Sequence, residues 1–599
     1  MEQFITSYKE QKELSKLFFT LRFQLLNFVI MCGIFGYLGK ATNETEFFDA
    51  YNNIRPRGPE RSKYMQIDDF IHTYNGFHRL SLSDISGNGD QPFFYEDKFR
   101  RVYSGCNGEI YNYKQLVEKH DIKLTSGSDS EVIIKLYLKF GIEKAAAEIR
   151  GEYALYIYDY DVIKRHFTLY LMRDHCGIRP LFYGYSDDQF AFASEVKGLT
   201  CNLGKPDVKQ IVPNVKQFPP RHYLKLNCWL EDGVLKIKQN WFMHIDYSKP
   251  KVKISDLKEA KTRIRKMFTD AVVKRLDCDR EIGALLSGGL DSSLVAAIAA
   301  QELAKQGKKL KTFCIGLPNS TDRLFAEMVA AHIGSEHTHI ELTEADFLGA
   351  IGKIVEVAET YDITTIRATT GNYLVAKWIK EHTDVKALII GDGADELCSG
   401  YMYFHNAPDP VSSHKENIRL LENLHFYDCL RADRAIASCG LEARVPFLDL
   451  DFINLYLSID PKLRIPLKNH TGLITEKYLL REAFKDTNVL PDEVLFRKKE
   501  AFSDGVSSTE RSWYHVIQEK AEKIFLDEEF EDATKTYGHL PPTSKEALYF
   551  RLQFEELYGK GPIELVVPGY WLPKWSGDIK DPSARLLNVY DESSRAKRA

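Results

Sequence analysis

The nine residues Leu285-Leu-Ser-Gly-Gly-Leu-Asp-Ser-Ser293 constrain the fold of this chain more than any other stretch. The apolar run at 282–286 predicts a buried strand, and the alanine-rich run at 292–300 predicts a helix. Strand, glycine turn and helix together make a phosphate cradle. Glycine lets the backbone approach an anion, and the unpaired N–H groups of a helix start point at it. Asp291 falls where a carboxylate can hold Mg²⁺ against such phosphates. The spacing departs from Gly-x-x-x-x-Gly-Lys-Ser/Thr, which excludes the common nucleoside-triphosphatase loop. The same residues also fit a plain turn capping the next helix through Ser287 or Asp291, and alone they leave both readings open.

A chain of 599 residues exceeds what one core organises, so two or more domains are expected. Charged residues make up 28% of it with a formal charge of −5, a soluble globular balance without the basic excess that a nucleic-acid partner requires. Ten cysteines stand singly, without a Cys-x-x-Cys pair, which predicts a reducing, cytoplasmic setting and argues against structural zinc or iron–sulfur. Residues 16–30 are apolar and aromatic, but Arg22, Gln24 and Asn27 interrupt them. The run is too short and broken for stable membrane insertion, and no small-residue cleavage site follows. Residues 1–31 therefore read as an amphipathic extension or as sequence upstream of the functional start. Asn43-Glu-Thr45 matches a glycosylation acceptor by chance, since nothing else points to secretion.

From residue 31 onward, short alternating or aromatic runs dominate, at 32–38, 77–82, 103–111, 153–158, 167–173 and 190–194. They predict a mainly β layer with one long helix, at 129–140. The boundary is expected at 241–252. Beyond it, a helix at 257–276 carries Ile264, Met267, Val272 and Leu276 on one side. Strands at 282–286, 312–316, 337–342 and 385–390 then alternate with helices at 292–300 and 324–333, which predicts a mostly parallel sheet covered on both faces. Ligands of such sheets bind beyond the C-terminal strand ends. Residues 285–293 fall there, as does Gly391-Asp392-Gly393-Ala394-Asp395-Glu396. The tail after 565 reads as irregular and of little chemical consequence.

Asp291 and Asp395 follow separate strands, and if these are close the two carboxylates share Mg²⁺ and a pyrophosphate. The plainer reading of Asp392, Asp395 and Glu396 is an acidic helix start. Lys499, within Arg497-Lys-Lys-Glu-Ala-Phe-Ser-Asp-Gly505, can neutralise charge developing on phosphate, although most such lysines are simply solvated. Residues 359–367 and 442–449, with Arg431, offer charged groups for a small zwitterion. Near the start, Cys32 directly follows Met31. If it is exposed as the first residue, its own α-amine serves as base for the thiol. Most lone cysteines are buried fillers, so Cys32 needs companions. Asn107 and Gly108 can form an oxyanion hole, with Arg57 for a substrate carboxylate and Asp129 for its ammonium. That set describes a thiol amidase, whereas Asn107-Gly108 alone also fits a hairpin turn.

Cys32-Gly-Ile-Phe-Gly, Arg57-Gly-Pro, His78-Arg-Leu-Ser, Asn107-Gly-Glu-Ile-Tyr-Asn112, Ser128-Asp129, Arg173-Asp174 through Gly177 and Pro180-Leu181 resemble the N-terminal-nucleophile glutamine amidotransferase domain. Residues 287–293 resemble the pyrophosphate-releasing ATP synthetase signature. With 359–367, 442–449 and 499–505, the whole resembles glutamine-hydrolysing asparagine synthetase from Cys32 almost to the C-terminus. The resemblance implies an α/β and α+β chain: a layered β-sheet glutaminase domain at 32–240, then a mostly parallel-sheet α/β ATP pyrophosphatase-type domain at 241–565, with an irregular tail at 566–599. It implies glutamine and aspartate as substrates, ATP and Mg²⁺, no nucleic acid, and a homodimer among the allowed assemblies. Cys32 would form a glutamyl thioester, with Asn107 and Gly108 on the oxyanion and Arg57, Glu109 and Asp129 holding glutamine. Ammonia would pass through an internal tunnel to β-aspartyl-AMP. Ser287, Gly288, Gly289 and Ser292 would take pyrophosphate, Asp291 and Asp395 the metal, and Leu285, Ile315 and Gly391 the adenosine. Asp392 would orient intermediate and ammonia, and Lys499 would face the reacting phosphate. There are departures from the family pattern. Thirty-one residues precede Cys32, so initiation at Met31 or cleavage before Cys32 is expected. Ile390 stands where the family usually has serine, and Asp392 where it has glutamate. Rival readings are another ligase of the same two halves, such as a β-lactam synthetase, and a non-catalytic paralogue.

Overall fold

The aromatic-rich runs pair into two six-stranded antiparallel sheets. A computed structural model describes residues 32–587 apart from 40–42, 59, 69–70, 233, 248–253, 469–472 and 580. The expectations for residues 1–31, Met31 included, and for 588–599 lie outside the described residues. One sheet runs, edge to edge, Lys216–Gln217, Phe182–Tyr185, Gln189–Ala193, Gly33–Gly39, His72–Arg79 and Arg61–Asp68. The other runs Val234–Met243, His222–Glu231, His166–Arg173, Glu152–Asp161, Arg100–Glu109 and Phe93–Glu96. Strand alternation sorts the side chains. Ile34 and Leu38 point inward with Phe77, Tyr156, Leu169 and Phe192, while Phe35 and Tyr37 point outward against Phe47 and Tyr51.

The helix expected at 129–140 is present as Glu131–Phe140, one of four helices that cover the sandwich among the described residues. Glu44–Asn53 lies on one face, and Tyr113–His120, Glu131–Phe140 and Ile142–Glu148 pack on the other. The three that were missed have seven to ten residues each, too few turns for a clear apolar stripe. Asn43, read as a chance glycosylation match, accepts a hydrogen bond from Glu46 N at 3.4 Å and caps the first of them.

In the second half, five strands are parallel throughout, in the order Glu336–Glu341, Lys311–Gly316, Glu281–Leu285, Val385–Ile389 and Glu442–Arg444. The chain starts in the middle, builds outward on one side and then crosses to the other. The order therefore reverses between Glu281–Leu285 and Val385–Ile389, which opens a crevice at their C-terminal ends. Helix Leu290–Ala304 runs back along the sheet, with Leu290, Leu294, Val295, Ile298 and Leu303 buried in the core that holds Ala284, Phe313 and Leu388. The short edge strand Glu442–Arg444 was read only as a charged motif, because three residues carry no period. The 3₁₀ turn Pro562–Val566 leads into the tail, which contains a second at Ala584–Leu586 and is tied to the second half, for instance by Trp571 N donating to Asp362 at 2.8 Å.

Candidate active sites

The crevice at the strand reversal is an open cleft with a cavity volume of about 130 Å³. Leu285, Ser287, Gly289, Asp291, Ser292, Ile315, Gly391, Asp392, Asp395 and Lys499 line it together. Gly288 has φ 71°, and a Cβ there would lie 2.4 Å from that of Phe325, so the loop needs glycine. Gly289 precedes the helix and no side chain caps it. Ser287 Oγ accepts from Gly289 N at 3.3 Å, and Asp291 turns away to an ammonium instead of capping. The plain-turn alternative therefore fails for Asp291. A Cβ on Gly391 would sit 2.7 Å from Ser292 N, so the two glycine loops are in direct backbone contact.

Lys477 joins the acidic pair. It donates to Asp291 and lies 2.7 Å from Asp395 Oδ1, while Lys499 donates to Asp395 Oδ2 at 2.6 Å. Burial pushes the Asp395 carboxyl up, but the two ammoniums outweigh it and hold the group at about 2. Asp291 Oδ1 is buried without a hydrogen-bond donor among the described residues. Arg497 steadies the phosphate loop by donating to Ser287 O at 3.2 Å and to Asp322 at 2.8 Å. Asp392 accepts from Arg431 at 3.1 Å, and burial holds its carboxyl above the usual range against that pairing. Lys477 and Arg497 were missed as site residues. Lys477 sits in an ordinary polar stretch, and only its 1% exposure reveals it.

The charged residues of 359–367, read as groups for a zwitterion, have partners within the protein. Glu359 accepts from Val196 N and Lys197 N at 2.9 and 2.8 Å, Asp362 caps Thr365 N at 2.8 Å, and Arg367 pairs with Glu546 and Asp581. None of the three lines the cleft. Of the second charged stretch, Arg444 pairs with Glu442 at 2.9 Å and Asp449 with Arg275 at 3.0 Å, both at the junction of the two halves. Only Arg431 reaches the cleft.

In the first half, Cys32 begins strand Gly33–Gly39. Its sulfur accepts from Leu80 N at 3.4 Å, and burial pushes the thiol up to about 12. The charge of Glu109 reaches it. Asn107 and Gly108 are not a hairpin turn: they end strand Arg100–Glu109, opposite Ala154 and Tyr153. Gly108 has φ 135°, and a Cβ would meet Glu152 O at 1.9 Å. Asn107 Nδ2 is buried with no acceptor among the described residues, a donor left for a ligand. Asp129 accepts from Ile110 N, and burial holds its carboxyl at about 6. Burial also pushes Glu109 well above the usual range, with the charges of Asp129 and Glu442 adding to it.

Arg57 is more engaged than expected. Its Nε donates to Cys32 O at 3.0 Å, and its guanidinium pairs with Glu195 at 2.6 Å and Asp433 at 2.7 and 3.1 Å. Asp433 comes from the second half, so the cysteine site and the cleft half are joined by buried ion pairs. Arg179 extends them, meeting Glu152 at 3.2 Å, Glu442 at 3.3 Å and Asp433 at 3.5 Å. A narrow cavity of about 10 Å³, room for about one small molecule, lies in this junction, lined by Ile178 and Arg179 on one side and Asp392 and Gly393 on the other.

A strand-start thiol and an unpaired buried amide donor in one half, and a glycine-loop cleft with paired carboxylates on a parallel sheet in the other, point to a two-part amidotransferase–synthetase class. The glutamine amidotransferase domain family matches residues 31–246, and the asparagine synthase family matches 263–419 and 408–562. The chain is 41% identical over 573 residues to the glutamine-hydrolysing asparagine synthetase of Gallus gallus, covering 94% of this chain and 99% of that one. It is 38% identical over 580 residues to that of Homo sapiens, covering 94% and 100%. A probable asparagine synthetase of Acanthamoeba polyphaga mimivirus is 37% identical over 583 residues, covering 93% and 100%. The chain belongs to the glutamine-hydrolysing asparagine synthetases. No helix among the described residues is long and apolar enough to cross a membrane.

Proposed function

We propose that this chain transfers the amide nitrogen of glutamine to aspartate, with ATP cleaved to AMP and pyrophosphate. The observation that carries the reading is the meeting of Asp291 and Asp395 on one ammonium where two glycine loops touch. Family membership supports both substrates and the coupling of two sites.

Cys32 Sγ attacks the glutamine amide carbon, ammonia leaves, and water hydrolyses the thioester to glutamate. Asn107 Nδ2 and Gly108 N–H stabilise the oxyanion. Glu109 and Asp129 hold the ammonium, and Arg57 the carboxylate, exchanging part of its pairing with Glu195 and Asp433. The base is the α-amine of Cys32, which titrates near neutrality and is available only when the preceding residues are absent. That amine supplies the route to thiolate for a thiol that burial pushes up to about 12. Intact mass of the active protein tests this, and full glutamine use with residues 1–31 retained refutes it. We place the domains at 32–240 and 241–565, with the tail at 566–599, and ammonia crosses the junction cavity beside Arg179 toward Asp392.

In the second site, Leu285, Ile315 and Gly391 flank the adenosine, and Ile390 supplies apolar contact there in place of a hydroxyl. Ser287, Gly288, Gly289 and Ser292 take the pyrophosphate end with Lys477 and Lys499. The aspartate β-carboxylate attacks the α-phosphorus and pyrophosphate leaves; ammonia then attacks the acyl carbon and AMP leaves. Arg431 holds Asp392 where the acyl-adenylate and ammonia meet. The donor set fits Mg²⁺: two carboxylates, one with a buried oxygen lacking a donor, suit a hard ion that takes its other ligands from phosphate and water. Asp291 and Asp395 would hold it, and when bound it neutralises pyrophosphate charge. Ten free cysteines support a cytoplasmic setting. The test mixes ATP, Mg²⁺, aspartate and amide-¹⁵N glutamine. Labelled asparagine with AMP and pyrophosphate is expected; ADP, or unlabelled asparagine, overturns the reading.

A further inference from the structure

The chain's last described segment reaches the nucleotide cleft by way of one loop. Residues 497–507 carry Lys499 and lie between the end of strand Lys311–Gly316 and the tail; Leu317 N donates to Val506 O at 2.7 Å on the inner side. On the outer side, Arg585 Nε donates to Glu500 Oε1 at 3.1 Å, and its Nη1 donates to Ser508 O at 2.9 Å and Ser512 Oγ at 2.6 Å. Ser583 Oγ donates to Asp504 at 3.0 Å. Asp581 anchors the segment by pairing with Arg367 at 2.8 Å. Glu500 lines the cleft, and its other oxygen accepts from Thr321 at 2.6 Å and Arg497 at 3.3 Å.

A carboxylate facing a cleft that receives a polyphosphate repels it unless cations are fixed on it. Arg497 is shared with Ser287 O and Asp322, which leaves Arg585 as the cation on the far oxygen of Glu500. We propose that Arg585 is a positioning residue for the synthetase reaction: it neutralises Glu500 and clamps the 497–507 loop so that Lys499 stays on Asp395 and Arg497 on the phosphate loop. The tail, expected to contribute little chemistry, thereby sets affinity for ATP. This rests on the reading of the cleft as the ATP site, which AMP formation by the unmodified chain tests separately.

The experiment measures ammonia-dependent AMP and pyrophosphate formation against ATP concentration, with ATP-independent glutamine hydrolysis as the internal control. Arg585→Met lowers kcat/KM for ATP about tenfold, mostly through a higher KM, while glutamine hydrolysis stays at the unmodified rate. Adding Glu500→Gln to Arg585→Met recovers about threefold of that loss, because the unneutralised charge is gone. Unchanged ATP kinetics in Arg585→Met, no recovery in the double variant, or an equal fall in glutamine hydrolysis each overturns the proposal. Should Arg585→Met fail to fold, Ser583→Ala, which loosens the clamp without removing a charge, must itself raise the KM for ATP; an unchanged KM there also overturns it.

Discussion

Lys477→Met probes the ionic geometry of the cleft directly. The ammonium touches both Asp291 and Asp395, and the side chain is 1% exposed. Methionine nearly keeps its length and volume, so the loss is one of charge and not of packing. Asp395 sits at about 2 against an ordinary 3.8, because Lys477 and Lys499 outweigh its burial. That gap corresponds to about 2 kcal/mol of stability. The group's contribution is complete above its unfolded value and disappears as pH falls through about 2, so the unmodified chain keeps it across the range from neutral to about pH 5. In the variant, two buried carboxylates face each other with Lys499 alone beside them. We expect the second domain to lose about 3 kcal/mol at about pH 7.5, within the range for breaking a buried pair. With Lys477 gone, burial is expected to raise the Asp395 carboxyl above its unfolded value, so the variant regains stability on protonation as pH falls. The deficit must therefore narrow between about pH 7.5 and about pH 5. Calorimetry resolving the transition of the second domain measures it at both pH values. A deficit that is absent at the higher pH, or that stays constant or widens on acidification, refutes the electrostatic account.

Asn107→Ala should lower kcat for glutamine hydrolysis about 100- to 1000-fold by removing one oxyanion donor, while ammonia-dependent synthesis holds; a loss under tenfold would show that Nδ2 does not meet the oxyanion. Cys32→Ala should abolish glutamine-dependent asparagine formation and leave the ammonia-dependent rate intact, and parallel loss of both would contradict separate sites. Gly391→Ala places a Cβ 2.7 Å from Ser292 N, a clash between backbones that should raise the KM for ATP about tenfold by prising the loops apart; an unaltered KM would show that the loops do not act together.

The second domain was legible because its strands are apolar runs and its loops carry residues with a steric reason to be there. Gly288 and Gly391 mark close backbone approaches, and Asp291 and Asp395 follow strands that turn out to be neighbours. Nothing in the local pattern announced the helices Glu44–Asn53, Tyr113–His120 and Ile142–Glu148, whose apolar faces are defined only by the sheets beneath them.

What escaped was the identity of ionic partners, and the reason is the distance along the chain. Arg57 meets Asp433 across 376 residues, and Lys477 meets Asp291 across 186. A charged residue read locally is solvated until burial shows otherwise. The same holds for 359–367, where Glu359 and Arg367 look free in the sequence but are held by Lys197, Arg434, Glu546 and Asp581 in the fold. The consequence is chemical as well as descriptive. Helix Asp428–Ala437 presents Arg431 to Asp392 in the cleft and Asp433 to Arg57 beside the thiol, so one rigid element spaces the two reactions. On the proposed role of Arg57, a glutamine carboxylate there would compete with Asp433 on the helix that also carries Arg431, and the two sites would share an energetic term without sharing a substrate.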